Sequence, residues 1–425
     1  MTELETAPTG TSAPEIEVEV DPTEVGLDPD RLARIEHHFQ KYVDDGRLPG
    51  FMTVIARENK VAHIGIGGHR DVEAGLPVTQ DTLWRIYSMT KPITAVVAMT
   101  LWEEGAFELN DPVHRYIPSF RDCTVWRGGT ALRPITEPTM EPMRMWHLFT
   151  HTSGLSYGFH HAHPVDTLYR EAGFEWGMPP EKDLAGVCDL YASLPLLFQP
   201  GSEWNYSVSL DVLGRVIEVL TGTTLDRAFE ERLFKPLGMT RTAFQAPEDD
   251  LDRLAALYTP APGTGLARRN DQMGNPITMV PRVLNGGGGL CSTAHDYQRF
   301  ASMLLNGGEL DGVRILGPRT VRMMGSNWLP GNADLETFPG RPLFAETTFS
   351  GIGFGLGMSV MIDPVATHTG GSIGEFSWGG AASTVFWVDP SERMTAMFFT
   401  QLLPSSTHPL RSQFHQMIHQ AIVDG

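Results

Sequence analysis

The stretch Ser88-Met89-Thr90-Lys91 stands where an extended segment meets a long apolar run, 92–104, which ends at Gly105. In a helix, a lysine three positions after a serine lies one turn away on the same face, where it can remove the hydroxyl proton. The free N–H groups and the positive dipole at a helix start also favour an oxyanion beside that serine. The stretch therefore predicts a nucleophilic Ser88 with Lys91 as its base.

The same four residues are compatible with an ordinary N-capping serine and a lysine that extends to solvent. To act as a base near neutral pH, Lys91 needs its pKa lowered by roughly three units, through burial or nearby positive charge. The apolar helix predicted after Lys91 is compatible with such burial. Partners elsewhere in the chain must decide between the two interpretations.

One candidate partner is Tyr206, in the stretch Trp204-Asn205-Tyr206-Ser207-Val208 after a Pro-Gly turn. An exposed tyrosine between a turn and a helix start can point its phenol into a cleft. If Lys91 stays cationic, a Tyr206 phenolate could take the proton of Ser88. The alternative is a core or surface tyrosine whose hydroxyl makes one hydrogen bond.

A second candidate is the stretch Ser377-Trp378-Gly379-Gly380-Ala381, which enters a strand. Paired glycines in a strand mark a bulge or a close approach of backbone or ligand. The N–H of Ala381 could then join that of Ser88 as an oxyanion hole. The alternative is a barrel-like corner packed by Trp378.

Strand patterns at both ends of the chain enclose a helical region. We predict an α/β (α+β) fold in which residues 23–120 and 285–425 form one discontinuous domain. Its mostly antiparallel sheet is flanked by N- and C-terminal helices, residues 121–284 form an inserted, mainly helical domain, and residues 1–22 form a disordered acidic tail. The predicted helices are 29–45, 183–193, 209–221, 224–234, 294–305 and 408–423, and the predicted strands are 51–57, 60–65, 353–362, 376–388 and 394–401.

Composition restricts the partners. The 425 residues carry a formal net charge of −19, which argues against nucleic acid and anionic membranes as partners. The chain has no apolar run of membrane-spanning length and no signal peptide at Met1–Val20, so a cytoplasmic location is expected. Three widely spaced cysteines predict reduced thiols and neither a disulfide framework nor a metal site. No oligomeric state is predicted.

These stretches resemble motifs of the serine β-lactamase-like superfamily, which includes class C β-lactamases, D,D-peptidases and family VIII carboxylesterases. SMTK (88–91) resembles the SxxK motif, YSV (206–208) the YxN motif, and WGG (378–380) stands where β-lactamases carry KTG. Further stretches of the resemblance, which covers about residues 25–423 in the family's order, are HLFTHTSGL (147–155), FQPGSEWNYS (198–207), PLGMTRT (236–242) and GGGGLCSTAHDYQRF (286–300).

The resemblance implies Ser88 as nucleophile, Lys91 and Tyr206 as the proton-transfer pair, and the N–H groups of Ser88 and Ala381 as the oxyanion hole. It also implies that four residues bind the substrate: Val208, Trp378, Gly379 and Gly380. Two of these four, Val208 and Trp378, depart from the β-lactamase pattern.

Val208 replaces an asparagine that holds the substrate amide, and Trp378 replaces a lysine that meets the substrate carboxylate. Both departures resemble the esterase branch. The expected activity is therefore hydrolysis of small carboxylic esters with short to medium acyl chains, without metal or organic cofactor. Amide hydrolysis of the β-lactamase or D,D-peptidase type, acyl transfer by the same site, and a non-catalytic binding protein are the alternatives.

Four other stretches invite different interpretations. Residues 154–158 match GxSxG, which would make Ser156 an α/β-hydrolase nucleophile, but no strand pattern precedes it. A histidine-rich loop has no carboxylate or cysteine at ligand spacing and is interpreted as solvated. His368-Thr369-Gly370 is an alternative third motif, and Gly286–Gly289 is interpreted as close backbone packing beside the site. The histidines of the loop are His160, His161 and His163.

Overall fold

The computed structural model describes residues 15–423 except 176, 180, 247, 275–277 and 341–344. Its strands, in chain order, are β1 (Gly50–Arg57), β2 (Lys60–Asp71), β3 (Leu76–Pro77), β4 (Trp84–Arg85), β5 (Thr124–Thr130), β6 (Arg133–Pro138), β7 (Tyr258–Pro260), β8 (Ala267–Arg269), β9 (Cys291–Ser292), β10 (Glu309–Leu310), β11 (Val313–Arg314), β12 (Ile352–Phe354), β13 (Ser359–Met361), β14 (Phe376–Gly379), β15 (Val385–Asp389) and β16 (Met394–Phe399).

Helices cover the sheet and form much of the segment between its two halves. They are α1 (Pro29–Asp44), α2 (Thr90–Glu103), α3 (Met145–Phe149), α4 (Pro164–Glu171), α5 (Leu184–Ser193), α6 (Ser209–Thr221), α7 (Leu225–Phe229), α8 (Lys235–Leu237), α9 (Ala294–Leu305), α10 (Pro318–Met324) and α11 (Leu410–His419). Within the part of the chain that the structure describes, none of them is both long enough and apolar enough to cross a bilayer.

The central sheet has eight antiparallel strands in the order β12-β13-β14-β15-β16-β1-β2-β3. Strand β1 therefore pairs with β16 from the opposite end of the chain, with Met52 opposite Phe399. The two terminal segments also meet, since Asp28 N–H donates to Ala421 O at 2.9 Å. The predicted α/β class with a large antiparallel sheet is confirmed.

Both faces of the sheet are buried, which explains why β1 is apolar without alternation. On one face, the Phe39 ring of α1 lies 4.7 Å from Phe398 of β16 and 6.1 Å from Phe414 of α11, measured between ring centroids. On the other face, the Tyr297 ring of α9 lies 5.1 Å from Phe386 of β15. Aromatic side chains from distant parts of the chain thus hold the layers together.

Two of the predicted strands are hairpins. The segment predicted as 376–388 reverses at residues 380–384, where Gly380 N–H donates to Thr384 O at 2.8 Å. Ser383 has a φ of 71°, in the left-handed region that a tight reversal requires. The segment 353–362 reverses in the same way at Gly357, with a φ of 91°. Because both arms of each turn carry apolar residues, the hydropathy pattern shows no break, and each hairpin was predicted as one strand.

The segment between the sheet halves contains more β structure than predicted. Strands β5 and β6 form a hairpin, and β7 pairs with β8. Most of β6 is exposed, so its sequence lacks the apolar alternation that identifies a strand. The predicted helix 224–234 consists of α7 followed by a π-helical turn at Glu230–Phe234. The division of the chain into two domains stays a prediction.

The end of the predicted disordered tail is ordered. Residues 1–14 lie outside the described residues, but Ile16 is 3% exposed. Glu19 N–H donates to Val61 O at 2.8 Å, and Val61 N–H donates to the Glu19 carboxylate at 2.7 Å. The chain is therefore held against β2 at Glu19, and Ile16 is buried although the composition of this segment is acidic.

Candidate active site

Ser88 lies in the tight turn that leads from β4 into α2. The turn Tyr87–Met89 is a 3-10 helix, and α2 continues directly from Thr90. Tyr87 has a φ of 43°, a left-handed conformation that costs free energy in a bulky residue and is often found beside reactive groups. The predicted order of extended segment, turn and apolar helix is found, and it places Ser88 immediately before the first turn of α2.

Two proton-carrying groups converge on the Ser88 hydroxyl. Lys91 Nζ lies 3.1 Å from Ser88 Oγ, and Tyr206 donates its phenolic hydrogen to the same oxygen at 2.6 Å. Tyr206 comes just before α6, as predicted. It is only 1% exposed, however, whereas an exposed side chain was expected. The structure thus brings together Ser88, Lys91 and Tyr206 from two distant parts of the chain.

Burial sets the protonation of Lys91. The residue is 1% exposed, and this desolvation lowers the pKa of its amine to about 8, although the carboxylates of Asp211 and Glu346 oppose the shift. Its Nζ also donates to the Gly287 carbonyl oxygen at 2.5 Å, in the glycine-rich stretch. An amine with this pKa is partly neutral near neutral pH and can accept the Ser88 proton.

Burial acts on Tyr206 in the opposite direction. Desolvation, reinforced by the Glu346 carboxylate, raises the pKa of the Tyr206 phenol well above its usual value. The phenol therefore stays protonated. Raising the pKa disfavours the phenolate considered from the sequence, and the protonated phenol donates a hydrogen bond to Ser88 Oγ.

Ser88 opens onto a cavity of about 630 Å³ that Ala381 and Val208 also line. Ala381 belongs to the turn between β14 and β15, and it lines the same cavity as Ser88. This arrangement suits an oxyanion hole formed by the N–H groups of Ser88 and Ala381. The cavity wall is largely apolar, with Tyr87, Tyr157, Phe159, Phe174, Met178, Tyr191 and Leu403 among its residues.

Trp378, Gly379 and Gly380 lie behind the cavity, and none of them is among the described residues that line it. The Trp378 indole is 1% exposed and packs edge-on against the Tyr206 ring, with centroids 5.4 Å apart. A side chain at Gly379 would collide with the Arg411 guanidinium, and one at Gly380 with the Ile86 carbonyl. The close approach predicted from the glycines is therefore made by protein groups, and Trp378 supports Tyr206.

The alternative third motif lies elsewhere. Thr369 lines a second cavity of about 600 Å³, and Gly370 packs against His419. None of His368, Thr369 and Gly370 is among the described residues that line the Ser88 cavity.

Ser156 is a structural residue in the GxSxG match. It is fully buried and donates to the Asp166 carboxylate at 2.7 Å. The element before it is helix α3, so the strand that a nucleophile elbow requires is replaced by a helix. The Ser156 hydroxyl is thus bonded to Asp166 in the interior, whereas Ser88 lines the cavity.

The histidines of the 160–163 loop have separate partners. His160 Nε2 lies 2.8 Å from the Tyr206 carbonyl oxygen, His161 pairs with Glu175 at 3.2 Å, and the His163 ring caps helix α4. A shared metal ion is not supported at this loop.

Sequence reasoning missed the residues that hold the Ala381 turn. Arg411 Nη2 of α11 donates to Gly380 O at 2.7 Å and to Thr384 O at 3.0 Å. The same nitrogen pairs with the buried Glu346 carboxylate at 2.6 Å. Arg411 and Glu346 stand in ordinary polar stretches, so no local signal connects them with the site.

Asp211 was also missed, although it explains the glycine-rich stretch. Its carboxylate accepts a hydrogen bond from Gly287 N–H at 3.0 Å, and burial raises its pKa to about 6 against the attraction of Lys91. A side chain at Gly287 would collide with this carboxylate. The interpretation of Gly286–Gly289 as close packing agrees with this contact.

Comparison with known proteins identifies the family. Residues 35–416 match the family described as Beta-lactamase. Protein Rv1367c of Mycobacterium tuberculosis is 38% identical over 364 residues, which cover 85% of this chain and 88% of the relative. Esterase EstB of Burkholderia gladioli is 31% identical over 399 residues, with 90% and 93% covered.

A solved structure gives the same result for the fold. EstCE1, described as a hydrolase with promiscuous acyltransferase activity, superposes with a TM-score of 0.74 at 25% identity, covering 93% of this chain and 99% of its own. The family match spans most of the chain, including Ser88, Lys91 and Tyr206. The chain therefore belongs to the Beta-lactamase family, has the serine β-lactamase/transpeptidase fold, and is a serine hydrolase acting in ester hydrolysis or acyl transfer.

Proposed function

We propose that the protein is a carboxylesterase that cleaves small esters with short to medium acyl chains through an acyl-enzyme on Ser88. The observation that carries this proposal is the Ser88 hydroxyl held at 3.1 Å by the buried Lys91 amine and at 2.6 Å by the Tyr206 phenol, at the wall of a largely apolar cavity. The similarity to Esterase EstB supports an ester as substrate. The SxxK-type site resembles that of the family VIII carboxylesterases.

In the proposed reaction, neutral Lys91 accepts the Ser88 proton while the serine oxygen attacks the ester carbonyl carbon. The N–H groups of Ser88 and Ala381 stabilise the resulting oxyanion. As the intermediate collapses, the C–O bond breaks and Tyr206 donates its proton to the leaving alcohol oxygen. Lys91 returns a proton to Tyr206. Water then cleaves the acyl-enzyme by the reverse sequence of proton transfers, which restores Ser88.

The lining of the cavity favours esters over β-lactams. No lysine, arginine or histidine is among the described residues that line it, whereas Glu175 and Glu346 are. The carboxylate of a β-lactam would therefore find no basic side chain on the described lining, and the two acidic side chains there are already paired, Glu175 with His161 and Glu346 with Arg411. Val208 lines the cavity at the position where a side-chain amide would otherwise bind the substrate amide. A neutral ester with an apolar acyl group suits this cavity better.

Acyl transfer to an alcohol is a second candidate. The cavity volume of about 630 Å³ is within the range that accommodates ligands of roughly drug size, so an acceptor alcohol could enter beside the acyl group. EstCE1 is described as a hydrolase with promiscuous acyltransferase activity, which supports this candidate. A product ratio measured with and without added short alcohol separates the two activities.

The deciding experiment measures kcat/KM for a short-chain p-nitrophenyl ester and for a chromogenic cephalosporin. We expect the ester to exceed the cephalosporin by at least about tenfold, because the cavity lacks a basic carboxylate partner. Ser88→Ala should abolish both activities. Intact-mass analysis during ester turnover should show one acyl group, located on Ser88 by peptide mapping.

Ser156→Ala is the matched control, since Ser156 is the serine of the competing motif. It should keep most of the ester activity, although loss of its hydrogen bond to Asp166 is expected to lower stability by about 1 kcal/mol. Activity that survives Ser88→Ala but disappears in Ser156→Ala would overturn the assignment of the nucleophile. Equal kcat/KM values for the two substrates would favour a β-lactamase.

A further inference from the structure

A cluster of buried polar side chains lies between α11 and the start of β14, beside the second cavity. Glu375 comes directly before β14, and His415 and His419 stand four residues apart on α11, so they share one helix face. The Glu375 and His415 side chains are only 3% and 5% exposed, and that of His419 is 16% exposed. Among the described residues, these three form the group whose donor atoms could hold one metal ion.

The distances suit a common ligand. His415 Nε2 lies 2.8 Å and 3.0 Å from the two Glu375 carboxylate oxygens, and His419 Nε2 lies 3.8 Å from Glu375 Oε2. All three donor atoms lie within 4.8 Å of one another. Donors at about 2.1 Å from a tetrahedral metal ion are roughly 3.4 Å apart. The His415–Glu375 and His419–Glu375 separations lie on either side of that value, and a bound ion would replace the hydrogen bond between His415 and Glu375.

The hydrogen bonding of His419 leaves a lone pair directed into the cluster. Its Nδ1 lies 2.8 Å from the His415 carbonyl oxygen, which can only accept, so Nδ1 carries the ring hydrogen. A neutral His419 ring then has its lone pair at Nε2, which is buried without a hydrogen-bond partner among the described residues. This lone pair faces the Glu375 carboxylate, which also only accepts. Two facing acceptors in a buried site are stabilised by a cation between them.

A second carboxylate adds negative charge at the same place. Val388 is the register partner of Phe376, so Asp389 is the cross-strand neighbour of Glu375 and points to the same face of the sheet. Asp389 is 1% exposed, and its Oδ2 has no hydrogen-bond partner among the described residues. The pair of buried carboxylates favours a divalent cation over an empty cluster.

We propose that Glu375, His415 and His419 bind one Zn²⁺ ion. Two imidazole nitrogens and a carboxylate oxygen are a donor set that zinc prefers, and the main-chain hydrogen bond of His419 Nδ1 is the usual outer support of such a ligand. Glu375 and His415 line the cavity of about 600 Å³, from which a water molecule can complete the fourth position. The ion would join α11 to β14, the strand that leads into the Ala381 turn.

This inference departs from the metal-free expectation of the sequence. That expectation considered the histidine loop 160–163, where no carboxylate stands at ligand spacing. The cluster combines a four-residue histidine spacing with a carboxylate 40 positions away, and only the packing of α11 on the sheet brings them together.

The test uses the full chain without an affinity tag, treated with a chelator and then dialysed against buffered Zn²⁺. We expect one zinc per chain by elemental analysis and a higher melting temperature with Zn²⁺ than with chelator. Substitution with Co²⁺ should give the visible absorption of a tetrahedral site, and anomalous scattering from crystals should place the ion at the cluster. His419→Gln should weaken zinc binding by at least about 100-fold.

His295→Gln is the matched control, because His295 is also a partly buried helix histidine that contacts a carboxylate, that of Asp296. It should bind zinc as the wild type does. Three results would overturn the proposal: a stoichiometry near zero with an unchanged melting temperature, unchanged binding in His419→Gln, or an ion at surface histidines only. If a variant fails to fold, the Co²⁺ spectrum and the anomalous scattering of the wild type decide whether an ion binds at the cluster.

Discussion

The protonation of one residue, Lys91, should control the pH dependence of the enzyme. Burial lowers the pKa of its amine to about 8, and only the neutral amine can accept the Ser88 proton. Below that value kcat/KM should rise about tenfold per pH unit, and above it the profile should level off. Tyr206 stays protonated throughout this range, since its pKa is raised. A profile of kcat/KM against pH with a neutral ester measures this rise, which is the acidic limb of the profile.

Asp211→Asn provides the control for this profile. The Asp211 carboxylate raises the pKa of Lys91 against the effect of burial, so removing its charge should move the limb to lower pH. An unchanged limb in Asp211→Asn, or a flat wild-type profile over about two pH units below 8, would contradict Lys91 as the base.

Tyr206→Phe removes the hydroxyl that donates to Ser88 Oγ at 2.6 Å. We expect kcat for a p-nitrophenyl ester to fall by at least about 100-fold, because the proton relay that restores Ser88 during deacylation loses its phenol. The effect should be larger for an alkyl ester, whose alkoxide leaves less readily than a nitrophenolate. Turnover near the wild-type rate on both esters would remove Tyr206 from the mechanism.

At the residue scale, the sequence predicted the contact between Ser88 and Lys91 but not its surroundings. The spacing of Ser88 and Lys91 is local, so a helical periodicity was sufficient to pair them. Trp378 is the opposite case, because the orientation of its side chain depends on how β14 packs against Tyr206. The sequence of a single strand does not specify that packing. Glu346 and Arg411 could not be linked because their contact depends on tertiary packing alone.

Among the elements, α11 controls the position of the Ala381 turn through Arg411. Arg411→Ala removes the hydrogen bonds to Gly380 O and Thr384 O and leaves the buried Glu346 carboxylate without the guanidinium that pairs with it. We expect kcat to fall by about 10- to 100-fold with a smaller change in KM, because a displaced oxyanion donor acts mainly in the transition state. Steady-state kinetics gives kcat and KM, measured at a temperature at which circular dichroism shows that the variant is folded.

Arg319→Ala is the control for this prediction, since Arg319 is an exposed arginine on α10. It should leave kcat and KM unchanged. A value of kcat for Arg411→Ala within about twofold of the wild type would show that the turn keeps its position without the guanidinium.

The elements themselves were predicted unevenly, for physical reasons. Helices α1, α6 and α9 were found almost residue for residue, because their spacing is amphipathic and capping residues mark the start of α1 and α9 and the end of α6. The hairpins of the C-terminal half were merged into single strands, since both arms are buried and apolar. Strand β6 was missed because it is exposed and carries prolines.

At the scale of the whole molecule, Phe39 marks the place where the two ends of the chain meet on the sheet. It is fully buried and contacts rings of β16 and α11. Phe39→Ala should lower the free energy of unfolding by about 3–5 kcal/mol, through lost burial and the remaining cavity. Urea denaturation followed by fluorescence measures the change.

His37→Ala is the matched control on the same helix, because His37 is exposed. This substitution should change the free energy of unfolding by no more than about 0.5 kcal/mol. A loss below about 1 kcal/mol in Phe39→Ala would show that the two chain ends do not depend on this contact.

The pairing of β1 with β16 also has a consequence for biosynthesis. Arg57 at the end of β1 bonds to Glu392, 335 positions later in the chain. At about 5–20 residues per second, the ribosome needs roughly 20–70 s to deliver the segment that completes this side of the sheet. Until then β1 is an unpaired apolar edge, which makes the nascent chain a substrate for chaperones. Ser88 is also synthesised long before Ala381, so a chain truncated before residue 381 would lack the second N–H group of the proposed oxyanion hole.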